Sequence, residues 1–359
     1  MLADGHGHQL YDAELQRQYQ ARYSGRVGTL YIHPPLEALL YLAVAWLPLG
    51  SAYRLWFFLN LIFLGFGMRQ LAEDALAPWD WRLLLAASLT FVPALLCLQQ
   101  GQDSILLLFL VIFGFTAWRR RHAFAAGCWL GLGLFKFQIV LPLVLVLFLT
   151  QSKNATNRIA KGFGLVALAF AVLSAAISGW SVLIIYPNFL LHLQAQPFAG
   201  IIPVAMANFR GLIYFLIRSD HSFWAAAAVA VVSAAALLKA LAIWKHARAA
   251  SDHSPAFSSG DGFDPAFANT VLFALLVSYH LNPHDLSLLL LPIPVLLHHM
   301  LAQKTKSSVE KWVALGLLGI LFLPPLHVGM LKMGIYSPVG IPLLALFLTI
   351  SFLAQPRTS

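Results

Sequence analysis

Two histidines and an aspartate lie within one short stretch of the chain, residues 279–287. His280, His284 and Asp285 stand there at the joint between two apolar runs, 267–278 and 286–297. Ionisable side chains at a membrane edge are costly unless they are paired or used, so all three are functional candidates. His284 could orient a phosphate or share proton transfer with a carboxylate, and we predict that it is catalytic. Asp285 is the second catalytic candidate, although an acid at a helix start can also simply cap the helix.

Two cations elsewhere in the chain have the chemistry to hold a phosphate group. Lys136 interrupts the apolar run 123–149 and supplies a compact positive charge, whereas Arg210 supplies a two-pronged donor for phosphate oxygens. Each has a simpler alternative. The long Lys136 side chain could reach back to the membrane interface, and Arg210 could bind lipid headgroups. Both are candidates for binding an anionic group of a substrate.

The composition decides which class of protein positions these residues. Sixty per cent of the residues are hydrophobic and ten per cent are charged, and the mean hydropathy is +0.76. A soluble domain has about 45–50% apolar and about 25% charged residues. The net charge of +9 is distributed over short loops between long apolar runs, which is the positive-inside pattern rather than a nucleic-acid-binding surface. The sequence therefore predicts an all-α polytopic transmembrane bundle, in contact with membrane lipids and without a nucleic-acid partner.

The basic residues also orient the chain. We place five basic clusters in the cytoplasm, namely 119–122, 153–161, 245–248, 304–311 and Arg357. Alternation between them predicts the spans 55–68, 83–98, 105–118, 159–177, 223–244, 267–279, 286–301, 313–327 and 339–353. This topology divides the chain into an external N-terminal segment (1–33), a single transmembrane domain (34–354) and a cytoplasmic tail (355–359).

Two apolar segments are too short for the crossings that their flanking charges would require. Residues 34–49 fall below the roughly 17 residues that a spanning helix needs, which predicts a re-entrant or interfacial helix. Residues 123–149 have cytoplasmic charge on both sides but too few residues for two crossings. They are predicted to form two short helices that meet near Lys136 in the outer half of the membrane. With these pieces the chain has about ten membrane segments.

The alternation brings the polar residues to one membrane face, although nothing in the placement of the spans required it. The substrate-binding candidates at that external face are His33, Gln100, Gln102, Asp103, Asn208 and His280, beside Lys136, Arg210, His284 and Asp285. Amides and carboxylates of this kind could hydrogen-bond substrate hydroxyls. Alternatively, Asp103 could cap the following helix, and His33 could merely mark the interface. We interpret the ten residues as one site.

The N-terminal residues and the two cysteines give further information on the class of protein. Residues 1–28 are polar and no span precedes them, so we expect a start upstream of Met1. Cys97 and Cys128 fall inside apolar runs and give neither a disulfide framework nor metal-ligand spacing. No cofactor is expected, and a divalent metal is left open.

Several short motifs in a fixed order carry a family resemblance. They are Leu10-Tyr-Asp12, His33-Pro-Pro-Leu36, Leu47-Pro48, Trp56 with Asn60, Gly101-Gln102, Gly131–Lys136, Asn208-Phe-Arg-Gly-Leu212, and Pro283-His-Asp-Leu286 with Pro292. Together they resemble glycosyltransferase family 87, membrane enzymes of the GT-C fold that include bacterial mannosyltransferases. The resemblance implies transfer of a hexose, typically mannose, from a polyprenyl-phosphate donor to a hydroxyl of a glycolipid or glycan acceptor. In that reaction we expect Lys136 and Arg210 to bind the phosphate of the donor. It further implies a multi-pass protein of the bacterial inner membrane with its active site on the external or periplasmic side.

Two alternatives to an active transferase stay open. The family places an acidic residue after a first span, and none of Asp4, Asp12, Glu14 or Glu37 stands at that position, which would fit a catalytically impaired member. Broken helices and charges within the membrane also mark transporters and flippases of lipid-linked or anionic substrates. Against a transporter, the chain shows no inverted repeat, and the inner-leaflet halves of its spans are nearly free of charge.

Overall fold

The computed structural model describes residues 1–25, 28–192, 201–217, 223–252, 264–302 and 309–353. These residues form α-helices and short 3-10 segments, without a β-strand among them. The first half of the chain contains α1 (Ala13–Ser24), α2 (Pro35–Leu42), α3 (Leu49–Ala75), α4 (Trp81–Ser88), α5 (Val92–Gln100), α6 (Ser104–Arg119), α7 (Ala123–Leu132), α8 (Phe137–Thr150) and α9 (Lys153–Ser178). The second half contains α10 (Val182–Leu191), α11 (Phe209–Ile217), α12 (Phe223–Asp252), α13 (Asp264–Val277), α14 (Pro292–Ala302), α15 (Val309–Phe322), α16 (Pro324–Lys332) and α17 (Gly340–Leu353).

The predicted all-α polytopic class is confirmed. Five described helical segments are long and apolar enough to span a membrane, and the number rises to seven if two bent pairs each count as one span. The bent pairs are α4 with α5, at 70°, and α15 with α16, at 51°. Shorter apolar helices such as α6 and α13 complete the bundle. The predicted short helix in 34–49 is α2, which begins at Pro35, since proline suits the first helical turn.

Helices α7 and α8 form the predicted hairpin around Lys136. By length and composition alone, Ala123–Thr150 could be one span. However, a Cβ built on Gly133 would lie 3.0 Å from Val140 Cγ2, whereas a straight helix separates residues seven apart by about 10 Å. At the other end, Trp118 Nε1 donates to Gln151 Oε1 at 3.2 Å. The chain therefore rises through α7, turns in the 3-10 segment Gly133–Lys136 and returns through α8.

Helix α9 packs against α7 at backbone distance. A Cβ on Gly127 would lie 2.1 Å from Ile159 O, and one on Gly162 would lie 2.1 Å from Phe124 O. Only glycine fits such contacts, because small residues let two helix backbones approach closely. Further along, a Cβ on Gly131 would lie 2.9 Å from Val166 Cβ. The contacts thus move from residues 124–127 with 159–162 to residue 131 with 166, so α7 and α9 rise together.

Three of the five basic clusters meet at one end of the bundle. The Trp118–Gln151 hydrogen bond joins the ends that precede Arg119 and Lys153, and Trp118 packs edge-on against Trp244, beside Lys245, at 5.3 Å. Ion pairs of Arg119 with Asp264 and of Arg120 with Asp74 fasten the same end. Much of the predicted cluster 304–311, Arg357 and the predicted tail 355–359 lie outside the described residues.

The predicted spans were too short at several helix ends. Helix α3 begins at Leu49 and ends at Ala75, beyond the apolar run 55–68. Helix α9 begins at Lys153 rather than 159, because Ser152 accepts a hydrogen bond from Ala155 N and caps a polar first turn. The span predicted at 286–301 begins inside a 3-10 segment, Pro283–Leu290, and the first turn of that segment contains His284 and Asp285.

Gly162→Ala should destabilise the protein, because the added Cβ meets a carbonyl oxygen that only a shift of the whole helix can move. We expect a loss of about 1–3 kcal/mol in the free energy of unfolding, measured by denaturation in detergent. Gly164→Ala is the control, since a Cβ there meets nothing within 4 Å and alanine favours a helix by up to about 1 kcal/mol. Equal stability of the two variants would contradict the close α7–α9 contact.

Candidate functional site

Three buried charges lie at the turn of the α7–α8 hairpin. Lys136 Nζ is 3.0 Å from Asp103 Oδ1 and 2.7 Å from Asp285 Oδ1, and all three side chains are about 1% exposed. We call Asp103, Lys136 and Asp285 the ion cluster. It joins the start of α6, the hairpin turn and the 3-10 segment at 283–290. Because a buried charge is tolerated only when it is paired, the cluster fixes these three elements relative to one another.

Asp285 accepts hydrogen bonds from three donors. Besides Lys136, its Oδ1 accepts from Ser104 Oγ at 2.7 Å, and its Oδ2 accepts from the backbone N–H of Asn282 at 2.7 Å. The second bond belongs to a capping box at the start of the 3-10 segment. The structural alternative for Asp285, a helix cap, is therefore present, and these contacts favour a positioning role. Its predicted catalytic role stays a prediction.

Asp103 does not cap α6, which was the structural alternative predicted for it. It stands at the N-terminal boundary of α6, yet its side chain makes no capping hydrogen bond. The carboxylate instead turns to Lys136, and Oδ2 is buried without a hydrogen-bond partner among the described residues. Asp103 therefore retains a buried acceptor oxygen that no donor of the described chain satisfies.

His284 is oriented by an amide from α5. Its Nδ1 lies 2.9 Å from Gln100 Oε1, which as an acceptor requires the proton on Nδ1. Nε2 then carries the lone pair, is buried without a hydrogen bond within the described chain, and lies 3.7 Å from Asp285 Oδ1. An oriented imidazole with a free nitrogen can accept a proton or a hydrogen bond from a substrate hydroxyl.

Arg210 lies on the aromatic ring of Tyr279. The guanidinium carbon is 4.3 Å from that ring centroid, and Nη1 donates to the Tyr279 carbonyl at 3.2 Å. Asn208 holds the same segment, because its Nδ2 donates to Ser278 O at 2.6 Å while its Oδ1 accepts from Gly211 N at 2.8 Å. Helix α11 is thereby attached to the chain that leads into His280 and His284.

His33 pairs with a carboxylate that sequence reasoning set aside. His33 Nδ1 lies 2.8 Å from Glu37 Oε2. The backbone around this pair is held by two tyrosines, because Tyr11 donates to His33 O at 2.8 Å and Tyr186 donates to Ile32 O at 3.4 Å. Tyr11 also stacks on Tyr186, with ring centroids 5.2 Å apart. The N-terminal segment therefore covers the site end of α9 and α10 and positions α2 beside it.

Burial perturbs the titration of these outer residues. Burial and the nearby charge of Asp103 raise the pKa of Glu37 to about 7, although His33 and Lys136 oppose the shift. Burial acts to lower the pKa of His33, but the hydrogen bond and charge of Glu37 outweigh it, so that pKa is raised. Burial lowers the pKa of His280 to about 4. These couplings show that Glu37, His33 and His280 share the electrostatic environment of the ion cluster.

The ten predicted site residues all lie at the end of the bundle that holds the ion cluster, but they differ in how directly they contact it. Asp103, Lys136, Asp285, His284 and Gln100 form one chain of contacts. His280 is linked to that chain through Asn282, whose Nδ2 is 3.1 Å from His280 Nε2. Gln102 contributes its backbone, since its carbonyl accepts from Trp56 Nε1 at 3.3 Å. The roles of these residues in binding or catalysis remain predictions.

Glu37 is the residue that the sequence reasoning missed. It is 5% exposed in an apolar helix. Two signals could have identified it, namely a lone acid in an otherwise apolar segment and a histidine four residues earlier, just before the start of the helix. Among the described residues, no group of three His, Cys, Asp or Glu side chains is arranged to hold a metal ion.

A sequence comparison determines the family. The sequence model of glycosyltransferase family 87 matches residues 31–259, which is more than half of the chain. The chain belongs to glycosyltransferase family 87. It is therefore a membrane glycosyltransferase of that family by descent, with a sugar donor and an acceptor as its substrates. A search of curated proteins finds no match, and a search of solved structures finds none either.

The match to glycosyltransferase family 87 confirms the resemblance drawn from the motifs and sets its extent. The matched range includes His33, Glu37, Asp103, Lys136 and Arg210. His284 and Asp285 lie beyond it, so they enter the site by their contacts with the matched part rather than by the match itself.

Lys136→Met should strongly destabilise this family 87 protein, because it leaves Asp103 and Asp285 buried without their cation. We expect a loss of about 3–5 kcal/mol in the free energy of unfolding, measured by denaturation in detergent. Adding Asp103→Asn to Lys136→Met removes one stranded charge and should restore part of the loss. Lys153→Met, at an exposed position, is the control and should change stability by less than about 0.5 kcal/mol. A Lys136→Met protein as stable as this control would contradict the ion cluster.

Proposed function

We propose that this chain transfers a hexose from a polyprenyl-phosphate donor to a hydroxyl of a glycolipid or glycan acceptor at the external membrane face. Mannose is the first sugar to test. The observation that carries the proposal is the meeting of a buried ion cluster, an oriented histidine and an arginine at one end of an apolar helical bundle. Family 87 membership makes sugar transfer the reaction, and the apolar surroundings favour a lipid-linked donor.

We assign the donor phosphate to Arg210. Departure of the sugar leaves a phosphate with an additional negative charge, which a preorganised cation stabilises. The Arg210 guanidinium is fixed by Tyr279 and presents further N–H donors beyond the one bound to the Tyr279 carbonyl. The ammonium of Lys136 is already balanced by two carboxylates. We therefore give Lys136 the task of holding Asp103 and Asp285, with one remaining N–H directed to a phosphate oxygen.

His284, Gln100 and Asp103 are assigned to the sugar and the acceptor. Sugar hydroxyls need both donors and acceptors at fixed positions. The free Nε2 of His284 and the unpartnered Oδ2 of Asp103 are buried acceptors without a protein donor in the described chain. A bound sugar would satisfy them, which removes the cost of leaving them unpaired.

A groove beside α8 suits the polyprenyl chain of the donor. It has a volume of about 570 Å³ and is lined almost entirely by apolar side chains of α8, α9, α12 and α13. Among the lining residues, Leu141 and Val277 are those nearest to the site. Leu141 is about 7 Å along the helix from Lys136, and Val277 is two residues from Tyr279, on which Arg210 lies. A phosphate at Arg210 would therefore place its isoprenoid chain at the mouth of this groove.

The charges support an external site in the inner membrane of a bacterium. Arg119, Lys153 and Lys245 lie together at the end of the bundle opposite the ion cluster. The positive-inside rule assigns that end to the cytoplasm and leaves the site on the periplasmic or outer surface.

Arg210→Gln should reduce transfer from a polyprenyl-phosphate hexose by about 10²–10³-fold in kcat, because the leaving phosphate loses its preorganised donor. Arg210→Lys should recover only part of the rate, since lysine lacks the two-pronged geometry. The assay is transfer of radiolabelled hexose in proteoliposomes. Arg54→Gln, at an exposed arginine of α3, is the control and should retain the full rate. Full activity in Arg210→Gln would remove Arg210 from the site.

Ala234→Trp should weaken use of long donors specifically. Ala234 lines the groove beside α8, so an indole there would obstruct a long isoprenoid chain but not a short one. We expect KM to rise at least about tenfold for a long-chain donor while KM for a short-chain analogue stays unchanged. Leu238→Trp, on the exposed face of the same helix, should leave both values unchanged. An equal effect on both donors would show that the groove does not hold the chain.

A further inference from the structure

We propose that Glu37 is the general base that removes the proton from the acceptor hydroxyl, and that His33 is its positioning partner. This inference rests on the proposed function and adds a residue that the predicted site did not contain. It is drawn from the geometry at the start of α2. There, a buried carboxylate and an imidazole meet beside the ion cluster, at the side of the site that the N-terminal segment covers.

Glu37 is more deeply buried than the imidazole with which it pairs. Its side chain is 6% exposed, whereas that of its partner His33 is 22% exposed, so an acceptor hydroxyl can approach the pair from the His33 side. Asp285 is bound by Lys136, Ser104 and Asn282, and Asp103 is paired with Lys136. Glu37 lies outside that cluster, and its ion pair is with a titratable group, His33, rather than with a permanent cation.

The charged and titratable groups around Glu37 come from several elements. The groups that share its electrostatic field are His33, Asp103 and Lys136, together with the phenols of Tyr11, Tyr31, Tyr41 and Tyr186. Burial, followed by Asp103, raises the pKa of Glu37 to about 7, while His33 lowers it. A base with its pKa near the working pH combines a sufficient ionised fraction with a strong affinity for the proton.

The chemical step balances with the donor and acceptor alone. The acceptor O–H bond breaks, and its oxygen forms a bond to the anomeric carbon of the hexose. The bond from that carbon to the phosphate oxygen breaks, and its electron pair leaves on the polyprenyl phosphate. The proton passes to the Glu37 carboxylate, which the N–H of His33 stabilises while it is ionised. Release of the proton to water returns Glu37 to its starting state.

The test compares four variants of the full chain in proteoliposomes with a synthetic polyprenyl-phosphate hexose and an acceptor glycan. Glu37→Gln should lose about 10²–10⁴-fold in kcat, as is typical for removal of a general base, with the donor KM changed less than about threefold. Glu37→Asp should recover part of the rate. Glu14→Gln, an exposed acid of the same N-terminal segment that pairs with Arg17, should match the wild type. Retention of more than a tenth of the wild-type kcat in Glu37→Gln would overturn the assignment.

The pH profile separates a base from a residue that only stabilises the fold. A base must be ionised, so wild-type kcat should rise with pH through about 7, the range to which the pKa of Glu37 is raised. His33→Ala, the fourth variant, removes a group that lowers that pKa, so the rising limb should move to higher pH while the plateau is regained. An unmoved limb in His33→Ala would refute the pairing, even if Glu37→Gln proved too unstable to assay. Absence of hexose transfer by the wild-type protein would instead reject the proposed function, and Glu37 as its base with it.

Discussion

One ammonium group held between two carboxylates, where water cannot screen it, determines the geometry of the whole site. Lys136 contacts Asp103 and Asp285 within 3.0 Å, and each of the three charges comes from a different element. Separating any one from the others would leave a charge in an apolar interior, at a cost of several kcal/mol. The start of α6, the turn of the α7–α8 hairpin and the segment before α14 therefore cannot move independently. Gln100, His284 and Asn282 acquire their positions from that restriction.

The surrounding helices hold these three charges at the same end of the bundle. Helix α6 carries the ion cluster at its start and Arg119, paired with Asp264, at its end. Its rise of about 24 Å thus spaces the site from the basic end of the molecule. The hairpin brings Lys136 back to the start of α6, and the glycine contacts between α7 and α9 support its rising arm. The N-terminal segment closes the site end, with Tyr11 and Tyr186 holding the backbone at residues 32–33.

Much of this arrangement could be predicted because it follows from charge and length. The apolar run 123–149, bounded by basic residues on both sides, cannot cross twice, and this alone predicts a hairpin with Lys136 at its turn. By contrast, the partners within the site depend on tertiary packing. No spacing rule links Gln100 to His284 or Ser104 to Asp285, which are 184 and 181 residues apart. Glu37 is a different case, because it does not stand at the acidic position of the family and only its own apolar surroundings indicate it. Helix ends were misplaced where a cap, such as Ser152, extends a helix through polar residues.

The charge balance of the site explains why a proton acceptor near neutrality fits the proposed reaction. Within the described part of the site, the positive charges of Lys136 and Arg210 balance the negative charges of Asp103 and Asp285. The site is therefore near neutral when one proton resides on the Glu37–His33 pair. A polyprenyl-phosphate sugar brings a single negative charge, and transfer converts it into a phosphate monoester whose second pKa is near 6. That product can itself receive the proton that the acceptor loses. A base with a pKa of about 7 holds the proton tightly enough to remove it from a hydroxyl during transfer. It also releases it readily enough to pass it to the leaving phosphate or to water, so each turnover restores the starting charge.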